Sequence, residues 1–110
     1  MKLPGADRAI VEEAKVRDYL LSPEHPVGRF KAAFFASMGY TRQSWELLEQ
    51  DLVSIATSEE ATLGQPNSFG QKYEVRGRIE GPTGRRFEVV TVWIVLNGEA
   101  APRFVTAYPG

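Results

Sequence analysis

The chain is 110 residues long, 43% hydrophobic and 25% charged, which is the profile of a folded globular domain and too short for two ordinary ones. It has no cysteine and one histidine, which excludes disulfides, thiolate metal centres, multi-histidine sites and a cysteine nucleophile within one chain. Its 13 basic and 14 acidic residues leave a net charge of −1, divided as −3 over residues 1–60 and +2 over residues 61–110. The longest apolar run, residues 89–96, is far short of the roughly 20 residues that a membrane span needs. The residues after Met1 have no apolar signal core, so the cytoplasm is the expected compartment and a membrane is not an expected partner.

Residues 8–11 are apolar enough for a short edge strand or the first turn of a helix. Val16, Tyr19 and Leu20 recur at helical spacing within residues 12–21, and the prolines at 23 and 26 end that helix. Phe30, Phe34 and Met38 predict a second helix over residues 28–38, with Gly39 as its terminating residue. Thr41 is placed to cap a third, with Trp45, Leu48, Leu52 and Ile55 as its apolar stripe. Residues 57–70 lack periodicity and are rich in Ser, Thr, Gly, Asn and Pro, which reads as a long loop.

Beyond Gly70 the period changes to two, and strands are expected over about residues 71–80, 86–96 and 103–108. The expected architecture is therefore α+β: one domain of residues 1–110, with a helical half (12–56) covering one face of a C-terminal antiparallel meander (71–108). The aliphatic set Val90, Val92, Ile94 and Leu96 is expected under the helices. Phe87, Val89, Thr91, Trp93 and Val95 are expected on the open face, with Lys72, Arg76, Arg78, Thr106 and Tyr108.

His25 is the only side chain whose unperturbed titration lies near neutrality, and Arg29 and Lys31 follow it within one helical turn. The bland account is a solvated turn; the sharper one is an anion site at a helix start. Arg76, Arg78, Arg85 and Arg86 flank the hairpin, either as charges that discourage edge pairing or as a phosphate-binding surface with aromatic stacking partners. Gly81-Pro82-Thr83-Gly84 lacks the lysine of a phosphate loop, and no nucleophile elbow is present.

The stretch from Tyr19-Leu20-Leu21-Ser22-Pro23-Glu24-His25-Pro26 through Gly28-Arg29-Phe30-Lys31-Ala32 to Gly39-Tyr40 resembles the N-terminal signature of a bacterial family of unknown function. Its second half resembles Lys72-Tyr73-Glu74, Gly81 with Arg85, Val90 to Ile94, and Arg103 to Pro109 here. Members of that family occur as small stand-alone proteins, and related domains form the C-termini of filamentous-haemagglutinin-type toxins. Toxin tips of this layout are similar to the metal-independent ribonucleases that include barnase, colicin D and RelE-like toxins. In that group the RNA 2′-hydroxyl is the nucleophile, and no metal or cofactor is implied.

Two functions follow from the resemblance. As a ribonuclease toxin, the chain would use His25 as acid or base, with Lys31, Lys72 and Arg76 holding phosphate charge. Thr91 and Thr106 would hydrogen-bond the phosphate, and Arg29, Arg78, Trp93 and Tyr108 would hold the rest of the RNA. As a non-enzymatic module of antitoxin or immunity type, it would use its open sheet face and Trp93 as a protein interface. Convergence of His25 with at least two of Lys31, Lys72, Arg76, Thr91 and Thr106 in one cleft favours the enzyme; a His25 that points away, beside a flat hydrophobic sheet face, favours the partner module.

Overall fold

The computed structural model describes residues 1–110. Three helices pack on one face of a four-stranded antiparallel sheet. Helix α1 (Glu13–Lys15) runs on as a π-helical stretch, Val16–Leu20, and is followed by α2 (Arg29–Ser37) and α3 (Trp45–Ser58). The strands β1 (Ala61–Asn67), β2 (Gly70–Glu80), β3 (Arg86–Leu96) and β4 (Arg103–Pro109) lie in the order β1-β2-β3-β4. The helices-then-sheet arrangement is the one that the change of period predicts. No helix is long and apolar enough to cross a membrane.

Local chemistry accounts for the helix ends. Gly39 ends α2 at φ 97°, and the Gly39 and Tyr40 N–H groups bond back to the carbonyls of Ala36 and Phe35. That pair of bonds is a Schellman cap, and it needs a residue that tolerates the left-handed region. Thr41 and Ser44 form a reciprocal capping box over a short 3-10 turn, Arg42–Ser44, from which α3 continues. Leu48, Leu52 and Ile55 are buried as the stripe predicts. On α2 the stripe is displaced: Ala32, Phe35 and Met38 are buried, whereas Phe30 is 74% exposed.

The expected loop over residues 57–70 is largely structured. Helix α3 continues to Ser58, and β1 pairs antiparallel with β2 from Ala61↔Val75 to Asn67↔Gly70. Of its residues only Ala61 is buried, so an edge strand containing Gly64 and Pro66 carries no hydrophobic alternation to reveal it. Backbone pairing holds it in place. At the opposite edge, Ile10 forms a parallel bridge with Arg103, the edge contact that residues 8–11 allow.

The two faces of β3 are reversed relative to expectation. Val89, Thr91 and Trp93 are buried on the helix side, in register with Gly77, Val75 and Tyr73. The polar atoms are satisfied there, because the Trp93 indole N–H donates to Thr91 Oγ1 and the Thr91 hydroxyl donates to the Val75 carbonyl, each at 2.8 Å. With its one donor paired, the largest side chain of the strand occupies the core, edge-on to Phe104 at 5.4 Å. Val90, Val92, Ile94 and Leu96 face the other way.

Strand β4 keeps Thr106 and Tyr108 on the open face, as expected, but breaks strict alternation. The register shifts between Val92↔Thr106 and Trp93↔Phe104, leaving Val105 as an extra residue. Phe104 and Ala107 therefore share the buried side, while Thr106 and Tyr108 stay with the open row, opposite Val92 and Val90.

Candidate functional site

Three separate elements bring one polar cluster together at the β4 edge. Lys31, in the first turns of α2, donates from Nζ to Tyr19 Oη at 2.8 Å and to Thr106 Oγ1 at 2.7 Å. Tyr19 Oη and Thr106 Oγ1 are themselves 3.2 Å apart. The ammonium lies 5.1 Å from the centre of the Tyr19 ring. No carboxylate is within ion-pair reach of Lys31, although Arg17, Arg42, Arg76, Arg86 and Arg103 all have acidic partners. The result is a half-buried cation whose neighbours are hydroxyls.

Tyr19 belongs to the π-helical stretch, a distortion that recurs at functional positions. Gly28 sets the approach of α2 to it, since a Cβ at position 28 would lie 1.9 Å from the Tyr19 carbonyl oxygen. Burial acts to raise the Tyr19 hydroxyl, but hydrogen bonds and charge from Lys31, with help from Thr106 and Lys15, outweigh it and hold the group below the ordinary tyrosine value.

His25 stands beside this cluster, its ring meeting that of Tyr19 edge-on at 5.1 Å. Its Nδ1 accepts the backbone N–H groups of Val27 and Gly28, both at 3.0 Å. The neutral ring then carries its proton on Nε2, which makes it a hydrogen-bond donor and takes Nε2 away as a proton acceptor. His25, Lys31 and Thr106 are thus brought together through Tyr19, which the sequence places on a helix and in the family signature but without a chemical role.

The remaining expected residues divide. Thr91 and Trp93 are each 0% exposed and tied to one another, so neither reaches a ligand, and both are corrected to core roles. Lys72 lies on the open face opposite Ile94, without an acidic partner. Arg76 shares that face and pairs with Glu88 at 3.6 Å. Arg78 lines a surface depression of about 480 Å³ with Asp51, Glu59 and Glu80, acidic company that works against an anion there. Tyr108 stands opposite Val90 on the open face. Arg29 packs its guanidinium 4.8 Å from the centre of the Phe30 ring. Phe30, next to Lys31 in sequence, is an exposed aromatic that its place in an apparent core stripe hid, whereas Trp93, an expected RNA contact, is buried.

Comparison with known proteins gives a fold and a family. A search of curated proteins finds no match. A solved chain of a contact-dependent growth inhibition toxin–immunity protein complex from Klebsiella pneumoniae 342 is similar in fold, with TM-score 0.73 and 15% identity. The similarity covers 93% of this chain and 100% of that one. A family model matches residues 2–110, and the chain belongs to that family, the domain of unknown function DUF6883.

Proposed function

We propose that the chain is a toxin-type, metal-independent ribonuclease domain whose reactive phosphate sits against Lys31, Thr106 and His25. The observation that carries this reading is the unneutralised Lys31 ammonium, fixed by two hydroxyls at the β4 edge. A phosphorane gains negative charge as it forms, and a preorganised cation with adjacent hydroxyl and N–H donors stabilises that charge where little water must reorganise. Lys31 Nζ and Thr106 Oγ1 hydrogen-bond the non-bridging oxygens, and the His25 Nε2–H donates to the same group. The 2′-hydroxyl of the RNA is the nucleophile, so the protein supplies none.

Beyond the cluster, Lys72 and Arg76 lie on β2, two strand spacings or roughly 10 Å from β4, and guide the flanking backbone, whereas Arg78 sits among acidic side chains and takes no part. Tyr108 lines the path between, and Phe30 with Arg29 stacks a base. A cognate immunity protein would cover this face, in keeping with the toxin–immunity complex from which the structurally similar chain comes.

A second reading, a partner-binding module without catalysis, draws on the aliphatic row Val92, Ile94 and Leu96 that the open face presents. Induced expression in a bacterial host separates the two. The ribonuclease reading expects growth arrest with RNA fragments, from wild-type protein and not from Lys31→Ala, and purified protein that cuts RNA in the presence of a chelator. Normal growth with intact RNA, together with inert purified protein, moves the assignment to the partner module.

A further inference from the structure

We propose that Tyr19 is the general acid of this site, protonating the 5′-oxygen that departs when the ribose 2′-hydroxyl attacks the neighbouring phosphorus. The proposal rests on reading the cluster as an RNA-cleaving site and assigns the one reactive group there without a role. In the reaction the 2′-oxygen–phosphorus bond forms and the phosphorus–5′-oxygen bond breaks. The Tyr19 hydroxyl proton passes to the 5′-oxygen, and the 2′-hydroxyl proton leaves to solvent water. The resulting phenolate, held by Lys31, then regains a proton from solvent. The products are a 2′,3′-cyclic phosphate and a 5′-hydroxyl, so the substrate class is ribose phosphodiesters; a deoxyribose strand has no nucleophile to offer.

Geometry selects Tyr19 over its neighbours. A general acid needs a proton to give and a conjugate base that its surroundings stabilise. The Tyr19 phenolate would face the Lys31 ammonium at 2.8 Å and the Thr106 hydroxyl at 3.2 Å. Neutral His25 cannot serve, because loss of its Nε2 proton would leave an anionic ring with Nδ1 already occupied by two N–H donors. The groups that face Tyr19 are Lys15 on its own helix, His25 from the turn and Lys31 from α2, with the non-titrating Thr106 from β4. Asp18, adjacent in sequence, is committed to Arg17 and Arg42. Every charge that faces the phenol is therefore positive, and its lowered titration follows that pattern.

The contrary account makes Tyr19 a staple joining three elements, and leaving-group chemistry separates the two. The 110-residue chain is assayed on a short RNA with one scissile linkage, made as the ordinary oxygen ester and as the analogue with sulfur in place of the 5′-oxygen. Thiolate leaves without protonation. Tyr19→Phe keeps the Lys31–Thr106 bond and should cleave the oxygen ester about 100-fold or more slowly than wild type, yet cleave the sulfur ester at close to the wild-type rate. Wild type should lose activity on the oxygen ester as pH rises through the tyrosine titration, and this limb should vanish on the sulfur ester. The wild-type profile decides the matter even if Tyr19→Phe folds poorly. Equal slowing of Tyr19→Phe on both esters, full activity on the oxygen ester, or the same alkaline limb on both overturns the proposal. A wild type that cleaves neither ester overturns the ribonuclease reading itself.

Discussion

Thr91 and Thr106 both anchor an aromatic side chain in this sheet, and they do opposite jobs. Thr91 accepts from the Trp93 indole and donates to the Val75 carbonyl, with threonine and tryptophan both at 0% exposure. Every polar atom in that chain has a protein partner, and nothing is left to offer a ligand. Thr106 meets the Tyr19 phenol and the Lys31 ammonium at the sheet edge, half-buried, where a positive charge has no carboxylate to answer it. A closed network fixes a core, whereas an open one with surplus charge has capacity for an anion.

Substitutions in the closed network should act on stability and those in the open one on function. Trp93→Ala should have the largest effect, costing about 3–5 kcal/mol of unfolding free energy through the cavity it leaves, as read by urea denaturation. Loss below about 1 kcal/mol would mean that the β3 faces are assigned wrongly.

Gly28→Ala ranks next and strikes the junction between the two regions. Its new methyl group meets backbone, not a flexible side chain, so α2 must shift away from Tyr19. A loss of about 1–3 kcal/mol is expected, with altered Tyr19 fluorescence or ring resonances as a sign that the cluster has opened. A third test pairs the threonines directly. Thr91→Val should cost about 1–3 kcal/mol by orphaning the buried indole N–H, whereas Thr106→Val should cost less than about 1 kcal/mol at its half-exposed site. Equal losses would erase the distinction.

The helices-then-sheet order and the β2–β3–β4 meander are legible in the sequence because their hydrophobic periods are strong. Three features are not, each for a physical reason. Strand β1 buries only Ala61, so it leaves no pattern. The faces of β3 depend on one hydroxyl satisfying an indole, a tertiary hydrogen bond that alternation cannot encode. The extra residue at Val105 moves Phe104 and Ala107 to one side, which strict alternation forbids. Within the site, His25, Lys31 and Thr106 could be picked as chemistry-bearing types, but Tyr19 could not, because its helical spacing with Val16 and Leu20 makes it look like core. The available signal was a tyrosine on such a stripe six residues before the only histidine.

The smallest expected effect concerns an exposed ion-pair link. Asp18 is held down to about 2 by hydrogen bonds from Arg17 and Arg42, tying the π-helical stretch to the turn before α3. A carboxylate lowered on folding stabilises the protein above its unfolded value, near 3.8, and that contribution fades as pH falls through about 2. Wild type should therefore melt slightly above Asp18→Asn at neutral pH, with the gap closing toward pH 2. Because the group is solvent-exposed, the gap should be small and shrink in high salt.

The most direct test of the open cluster is cleavage of transfer RNA and total RNA by purified protein with a chelator present, comparing wild type with Lys31→Ala. Removing one preorganised cation from the phosphate should lower the rate by about 100- to 1,000-fold while the melting curve barely moves, and wild-type fragments should end in 2′,3′-cyclic phosphates. Equal cleavage by both proteins, or intact RNA with folded wild-type protein, would contradict the account.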